Sequence, residues 1–598
     1  MSDLLNSASL VMIPSGYKED TVYSVVPSDG SGDLSFTRAS SGTRVNSAGL
    51  IESVAWNLAT YSEQFDNAAW TKYALNISSN STIAPNGTTT AEKLIPDTTT
   101  TFHTLEQLIS ISNNTNYTFS VYLKASGYNF VLLNTGSGSS SGNAGPIINL
   151  SNGTIAAYFG GTDYNAQVES VGDGWYKVTF SFLSNATAVN IDINTLPTAS
   201  VSAYAGNGTS GIFAWGYQLN IGSTAKPYFP TTDRLNVPRL TYQNGGGGCP
   251  SLLLEKQSTN LAFPSEDLTA LTSGGMTNTA NQTISPDGTQ NADKSTIGST
   301  ARYYDVVTEP IVTTTNGTTY TTSFFAKKGT GIEAIYFYQG DGSRIAKFNL
   351  NNGAYIGNAS ANGYSAFTSY SSESFGNGWY RFTATYTATI TSGQLVIGSS
   401  TNTNDAVTPI AGNGTDFVYV WGLQYEASSY PTSYIPTTSS SATRVADACF
   451  KTGISSLFGS EFTLFADVNL LPDDGPTRIL IAKGSGGTYD NFISIERYNS
   501  GTMFFFVVTD SSSTSQVAIA GGTAVDNQRY KFAARCKNGS YAFYINGVQI
   551  GTSSVAYTPS ASRLDLHYFD YYGQNEYNQV CLFPVGLTNA ELASLTTI

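Results

Sequence analysis

An all-β protein built from tandem β-sandwiches is predicted by three features of this sequence. The first is composition. Only 12% of the 598 residues are charged while 13% are aromatic, against about 25% charged in ordinary soluble chains. Thr, Tyr, Phe and Val suit pleated, half-buried surfaces, and 58 glycines with abundant Asn and Ser suit the turns between them. The second is periodicity. Residues 117–123 (YTFSVYL) and 175–182 (WYKVTFSF) alternate with the period of two of a strand that buries one face.

The third feature is a duplication. NLATYSEQF at residues 57–65 returns as NLAFPSEDL at 260–268. APNGTTTAEK (84–93) returns as SPDGTQNADK (285–294), YTFSVYLK (117–124) as YTTSFFAK (320–327), and NLSNG (149–153) as NLNNG (349–353). VGDGWYKVTF (171–180) returns as FGNGWYRFTA (375–384), AGNGT (205–209) as AGNGT (411–415), and the WG pair at 215–216 at 421–422. The order is kept at an offset of about 200 residues, far too long for a solenoid, so two whole domains stand in tandem at 57–233 and 260–438. Domains of this size with short strands and Asn-Gly turns bury their cores as two-sheet sandwiches.

Composition also excludes. A net charge of −14 without a Lys/Arg cluster argues against nucleic-acid binding. Cys249, Cys449, Cys536 and Cys581 are widely spaced with no CxxC pair, so free, mostly buried thiols in a reducing cytoplasm are expected rather than zinc or disulfides. The first positive side chain, Lys18, follows the short apolar run at 10–13, which is not the order of a signal peptide. No run approaches the roughly 20 apolar residues of a span, so no membrane insertion is expected.

Residues 1–56 form a leading region with strands at 22–26 and 34–37 around the turn-rich 27–33, and Arg38 and Arg44 are expected to make surface hydrogen bonds. The text SLVMIPSGYKEDTVYSVVPSDGSGDLSFTRASSGTRVNSAGLIESV at 9–54 resembles the opening of tailed-bacteriophage virion proteins of the head-fibre and tail-fibre kind. In that family a GLIE segment is soon followed by PRLxY, glycines and SLLLE. Here those words come far downstream, in NVPRLTYQNGGGGCPSLLLEKQSTNL at 236–261, as if the first repeat were inserted into the framework. The resemblance implies a virion exterior appendage, assembled in the host cytoplasm. Its leading region would dock on capsid, portal or tail proteins through Leu10, Val11, Ile13, Arg38 and Arg44, and its domains would meet host surface glycans. It also implies a homo-oligomer, commonly a trimer, although no coiled-coil heptads enforce one.

The two repeats, joined by a junction at 234–259, resemble jelly-roll carbohydrate-binding modules, with a GWY-type strand in mid-domain and closing strands FAWGYQLN (213–220) and VYVWGLQYE (418–426). After a Ser-rich linker at 439–446, the last domain, 447–598, has strands at 462–470, 503–509 and 530–536. Asn546–Gly547 between alternating arms specifies a type I′ hairpin, and Thr588 with Glu591 forms a capping box on a short terminal helix. This hairpin followed by LTNAEL resembles concanavalin A-like, laminin-G-like lectin domains.

Chemistry is sparse. His103 and His567 stand far apart outside any nucleophile motif, no GxSxG occurs, and a structural role is expected for both. A glycosidase needs two carboxylates about one bond. The strand at 492–501 offers only Glu496 of an ExDxxE pattern, and Asp565 and Asp570 have the wrong spacing. No catalytic residue is therefore assigned, and a capsule-degrading glycosidase stands third behind glycan attachment and ligand-free structural decoration. Trp175, Trp379, Trp215 and Trp421 could stack on sugars, but equivalent places within alternating strands favour burial. Tyr568, Phe569, Asp570, Tyr571, Tyr572 and nearby Tyr577 crowd too many aromatics for one buried face, making them candidates for glycan or subunit contact. No cofactor is expected beyond Ca²⁺ at acidic loop groups such as Asp473–Asp474, which lack a DxDxD-type loop.

Overall fold

The computed structural model describes every residue except 1, 137–141, 161–164, 304, 308–310, 340–343, 390, 474–476, 485–490, 499–502 and 568–572. The protein is all-β, with its strands collected into sandwiches. Repeat 1, Ala55–Leu235, is one compact unit; Met1–Val54 and Asn236–Ile598 together form the other.

Repeat 1 has two six-stranded antiparallel sheets. One runs in the order Gln167–Gly172, Trp175–Leu183, Asn116–Ser126, Gly211–Ile221, Ala91–Pro96, Leu75–Thr82. The other runs Thr154–Phe159, Gly145–Asn149, Phe130–Asn134, Asp192–Leu196, Thr104–Glu106, Thr71–Tyr73. Alternate residues of the two, among them Phe119, Val121, Phe180, Leu133 and Ile193, meet in the core. Repeat 2 has the same topology. Ser369–Ser374, Trp379–Thr387, Thr319–Thr330, Phe417–Glu426, Ala292–Ile297 and Met276–Thr283 form one sheet. Tyr355–Gly357, Ile345–Asn349, Ala334–Gln339, Ser392–Ser400 and Asp305–Val307 form the other, in which Ile311–Thr313 also pairs with Ser392–Ser400 and, among the described residues, no edge strand matches Thr71–Tyr73.

The recurring words of the sequence turn out to be the polar fittings of this topology. Buried Asn57 donates through Nδ2 to the carbonyls of Tyr217 and Phe229, and its Oδ1 accepts from the amides of Ala59 and Leu219. Asn260 repeats all four bonds with Leu423, Ile435, Ala262 and Tyr425. Ser62 and Ser265 then bind the Tyr228 and Tyr434 hydroxyls of the exit segments. The WG pair marks a β-bulge: Gly216 and Gly422 have φ of +66° and +68°, and a Cβ there would press on Tyr122 or Phe325 at 3.0 and 2.8 Å.

The C-terminal sandwich is assembled from three stretches of chain. Arg239–Thr241 and Ser251–Leu254 extend the sheet of Asn575–Phe583, Phe462–Leu470, Gln528–Cys536, Tyr541–Ile545 and Val548–Ser553, and Leu10–Met12 pairs with Asn575–Phe583. Tyr17–Lys18, Thr21–Val22 and Leu34–Thr37 begin the facing nine-stranded sheet and continue through Ala448–Thr452 into the rest of the domain. Leu10, Leu34, Phe36, Leu252 and Leu254 share one core with Leu464, Ile493 and Phe532. The leading region is thus not a separate structural unit, because its apolar side chains complete the last domain's core. The type I′ turn at Asn546–Gly547 and the Thr588–Glu591 capping box are both present. All four cysteines are free, three buried and Cys249 exposed.

Candidate functional site

Several residues singled out in the sequence lie where they cannot touch a partner. Tyr577 is fully buried, its hydroxyl donating to the carbonyls of Ile479 and Leu566, so it is a core residue and not a glycan or subunit contact. Tyr568, Phe569, Asp570, Tyr571 and Tyr572 lie outside the described residues, as does Asp474. Leu10 and Val11 are buried in strand pairing, and of the apolar docking candidates Ile13 alone is exposed, at 39%. Arg44 is half-buried, bonded to Glu52 and the Tyr17 hydroxyl. Among the described residues no group of three or more His, Cys, Asp or Glu is placed to hold a metal ion.

Arg38 is the clearest correction. It is 1% exposed and makes no surface hydrogen bond; it pairs with Asp447 at 2.9 Å. Arg239 bridges Asp447 and Glu255, and Arg444 approaches Glu255 at 3.5 Å. Ser433, leaving repeat 2, donates through its amide and hydroxyl to Glu255. Burial opposes ionisation of Glu255, but Arg444 and Arg239 overcome it and hold the carboxyl down at about 2. Asp447 is likewise held well below the usual range, burial being outweighed by Arg239 and Arg38. His567, hydrogen-bonded to the Asp447 carbonyl, is pushed down to about 4 by burial. The cluster ties the leading region, the junction, the repeat 2 exit and the last domain together, with three guanidinium groups around two carboxylates and the Arg444 nitrogens left without a hydrogen bond among the described residues.

The four tryptophans are buried, but not between the sheets. Trp175 and Trp215 lie on the outer face of the first repeat 1 sheet, packed with Ala84, Ala91, Tyr122 and Tyr228. Trp175 Nε1 donates to the Ile83 carbonyl and Trp379 Nε1 to the equivalent Ile284 carbonyl. In repeat 2 the matching cluster of Phe325, Phe375, Trp379, Trp421 and Tyr434 also contains Ile51, from the hairpin of Thr43–Val45 and Ile51–Ser53. The Ile51 amide donates to the Pro286 carbonyl at 2.9 Å.

Beside each cluster the outer face carries polar residues. In repeat 1 they enclose a groove of about 250 Å³ lined by Gln167, Glu169, Lys177, Thr179, Ser181 and Ser223, among others. Strand alternation puts them there: Phe180 and Val178 point to the core, so Lys177, Thr179 and Ser181 point outward. Glu169 stands opposite Lys177 across neighbouring strands, and Gln167 opposite Thr179. The Lys177 ammonium sits 5.9 Å from the centre of the Tyr122 ring. The side chains of Gln167, Glu169 and Thr179 are left to bond whatever enters. Repeat 2 holds the same register with Glu373 opposite Arg381 and Ser371 opposite Thr383. There the hairpin, the junction and the last domain add walls, making a cleft of about 390 Å³. Neither groove was legible in the sequence as a site; the outward-facing polar positions of the GWY strand were the available signal.

No curated protein matches the sequence. Solved structures similar to parts of the chain include the CBM40 of Ruminococcus gnavus IT-sialidase bound to α2,3-sialyllactose (12% identity, 24% of this chain, 84% of that one, TM-score 0.21). Others are a point mutant of NanB sialidase from Streptococcus pneumoniae (14%, 25% and 26%, TM-score 0.22) and a heptameric SAP-like pentraxin from Limulus polyphemus (13%, 23% and 69%, TM-score 0.19). Residues 444–579 match the family model of the concanavalin A-like lectin/glucanases superfamily, laminin-G type, and the C-terminal domain is a concanavalin A-like sandwich.

Proposed function

We propose that this protein is an attachment protein whose β-sandwich domains bind surface glycans, presented on the exterior of a virus particle. The observation that carries the glycan half is the open groove of repeat 1, where amide, carboxylate, ammonium and hydroxyl groups stand side by side on a rigid sheet. Such a row suits a polyhydroxylated ligand, each polar group meeting a sugar hydroxyl. The lectin superfamily matched by residues 444–579 supports the same reading. The virion half is supported by the framework wording at 9–54 and 236–261. The mechanism is binding without turnover. Single sites of this kind are weak, and linking them on one particle raises avidity by about 10²–10⁴.

The test is a glycan array of host envelope polysaccharides probed with the full chain. Lys177→Ala together with Gln167→Ala is expected to cut binding by about tenfold or more, with the thermal unfolding profile little changed because Gln167 is exposed and Lys177 is half-buried on the outer face. Undiminished binding by that variant would remove the groove from the proposal. Release of reducing ends during the assay would replace attachment with glycosidase action.

A further inference from the structure

The cleft on repeat 2 differs from the groove of repeat 1 in its charge. The repeat 1 groove is balanced, Lys177 facing Glu169. In the repeat 2 cleft Arg381 faces Glu373, but Glu576 from the C-terminal sandwich is added to the lining. The two other charged groups there are already engaged, Arg44 with Glu52 and Glu255 with Arg239. Arg381 is itself committed in part, donating through Nε and Nη2 to Ser323. Glu576 is therefore left without a cationic partner among the described residues, although its Oε2 accepts from the Asn469 amide nitrogen at 2.9 Å. A second, independent sign of a missing donor lies alongside. Gln574 lines the cleft, is 2% exposed, and spends its amide nitrogen on the Pro472 carbonyl, while its Oε1 has no partner. A buried acceptor without a donor costs about 1–3 kcal/mol, so such a site favours whatever supplies one.

We propose that this cleft is a second ligand site, selective for a sugar residue carrying a free amine, whose ammonium is received by Glu576 and Glu373 with the Gln574 Oε1 as a further acceptor. This rests on the reading that the outer faces of the repeats bind glycans. The volume, about 390 Å³, lies within the range of small-ligand pockets. The apolar wall of Phe375 and Tyr434 suits a ring face, and Thr383 supplies a hydrogen-bonding partner for a hydroxyl. Burial pushes the Glu576 carboxyl upward, with Glu373 and Glu255 adding to the effect, and an entering cation relieves that strain.

The experiment is calorimetric titration of the full chain with glucosamine tetramer and with its fully N-acetylated counterpart. The free-amine oligomer is expected to bind about tenfold more tightly. Glu576→Gln is expected to erase most of that preference, and Glu373→Gln, on an exposed strand edge where folding is not at stake, to reduce it. Lys177→Ala should leave the preference intact. Equal affinity for the two oligomers, or an unaltered preference in both glutamine variants, overturns the inference. If neither oligomer binds while the Lys177-dependent array signal persists, the inference fails and the proposed function stands; if the array is silent too, both fail.

Discussion

Repeat 1 and repeat 2 share a topology, a buried Asn–Ser–Tyr lock and a pair of outer-face tryptophans, yet they present different surfaces. Val171 is 39% exposed where its counterpart Phe375 is 8% exposed. A Cβ built on Gly87 meets nothing within 4 Å, whereas one on the equivalent Gly288 would lie 2.7 Å from Leu50. Tyr122 and Lys177 in repeat 1 become Phe325 and Arg381 in repeat 2. The difference shows which residues a duplicated sandwich is free to change. Polar groups that satisfy buried backbone are retained, because each orphaned partner is expensive. Residues on the outer face follow what covers them, turning apolar under the Ile51 hairpin and staying polar where the face is open.

The largest expected effect tests the retained part. Asn57→Ala and Asn260→Ala each leave two carbonyls and two amides unpaired in a dry interior, and each should cost about 3–4 kcal/mol. Differential scanning calorimetry of the full chain should show each substitution lowering a different transition by a similar amount. If Asn260→Ala is nearly silent while Asn57→Ala is not, the lock is not the shared element it is taken to be.

The next effect tests the divergent part. Ile51 is 5% exposed within the repeat 2 aromatic cluster, and Ile51→Ala should cost about 2–3 kcal/mol there. Val171→Ala, at the equivalent of Phe375 in repeat 1, should stay within about 0.5 kcal/mol. Urea unfolding followed by tryptophan fluorescence measures both; similar costs would mean that the hairpin does not anchor repeat 2.

Much of this comparison could be read from the sequence, and the reason is physical. The duplicated words were turn glycines, Asn side chains that cap turns, and the lock residues, all of which are local and recur wherever the local geometry recurs. Asp173–Gly174 and Asn377–Gly378 both have positive φ in the GWY hairpin, and Asn207 and Asn413 both accept from the amides of the AGNGT turn. What could not be read was long-range. Arg38 looked like a surface residue because its partners, Asp447 and the Val237 carbonyl, are remote in sequence. Strands of three residues such as Leu10–Met12 gave no hint that they would pair with Asn575–Phe583. Tyr577 carried the same letters as an exposed aromatic, and only the facing sheet showed that its hydroxyl had two buried carbonyls to satisfy. The grooves escaped notice because a site made of Gln, Thr and Ser on a strand face has no motif, only an orientation.

The smallest expected effect sets both repeats against the C-terminal sandwich. Glu92 in repeat 1 and Asp293 in repeat 2 occupy the same position and accept from the amides of Phe65 and Leu268. Burial raises them to about 7 and about 6, with Asp66 adding to Glu92. Unfolded carboxyls titrate near 4, so between about pH 7 and pH 4.5 the folded repeats hold protons that the unfolded chain has lost, and acidification through that window stabilises them. His567 has the opposite sign. Held neutral down to about 4 in the fold and ordinary when unfolded, it makes the sandwich lose stability as pH falls from about 6.5. Below about pH 4 Asp447 and Glu255 add to that loss. Lowering the pH from about 7.5 to about 5 should raise the repeat 1 transition, while in the unit shared by repeat 2 and the sandwich the gain from Asp293 and the loss from His567 oppose each other. The repeat 1 shift should correspond to about 1 kcal/mol, or about 2–4 °C for a domain of this size, since the carboxylates keep their backbone bonds. Calorimetry across that range, with Glu92→Gln reducing the repeat 1 response, to which the Asp192 carboxyl, pushed up to about 7 by burial, also contributes, measures this; a repeat 1 transition that falls on acidification would show that these buried carboxyls do not govern its pH response.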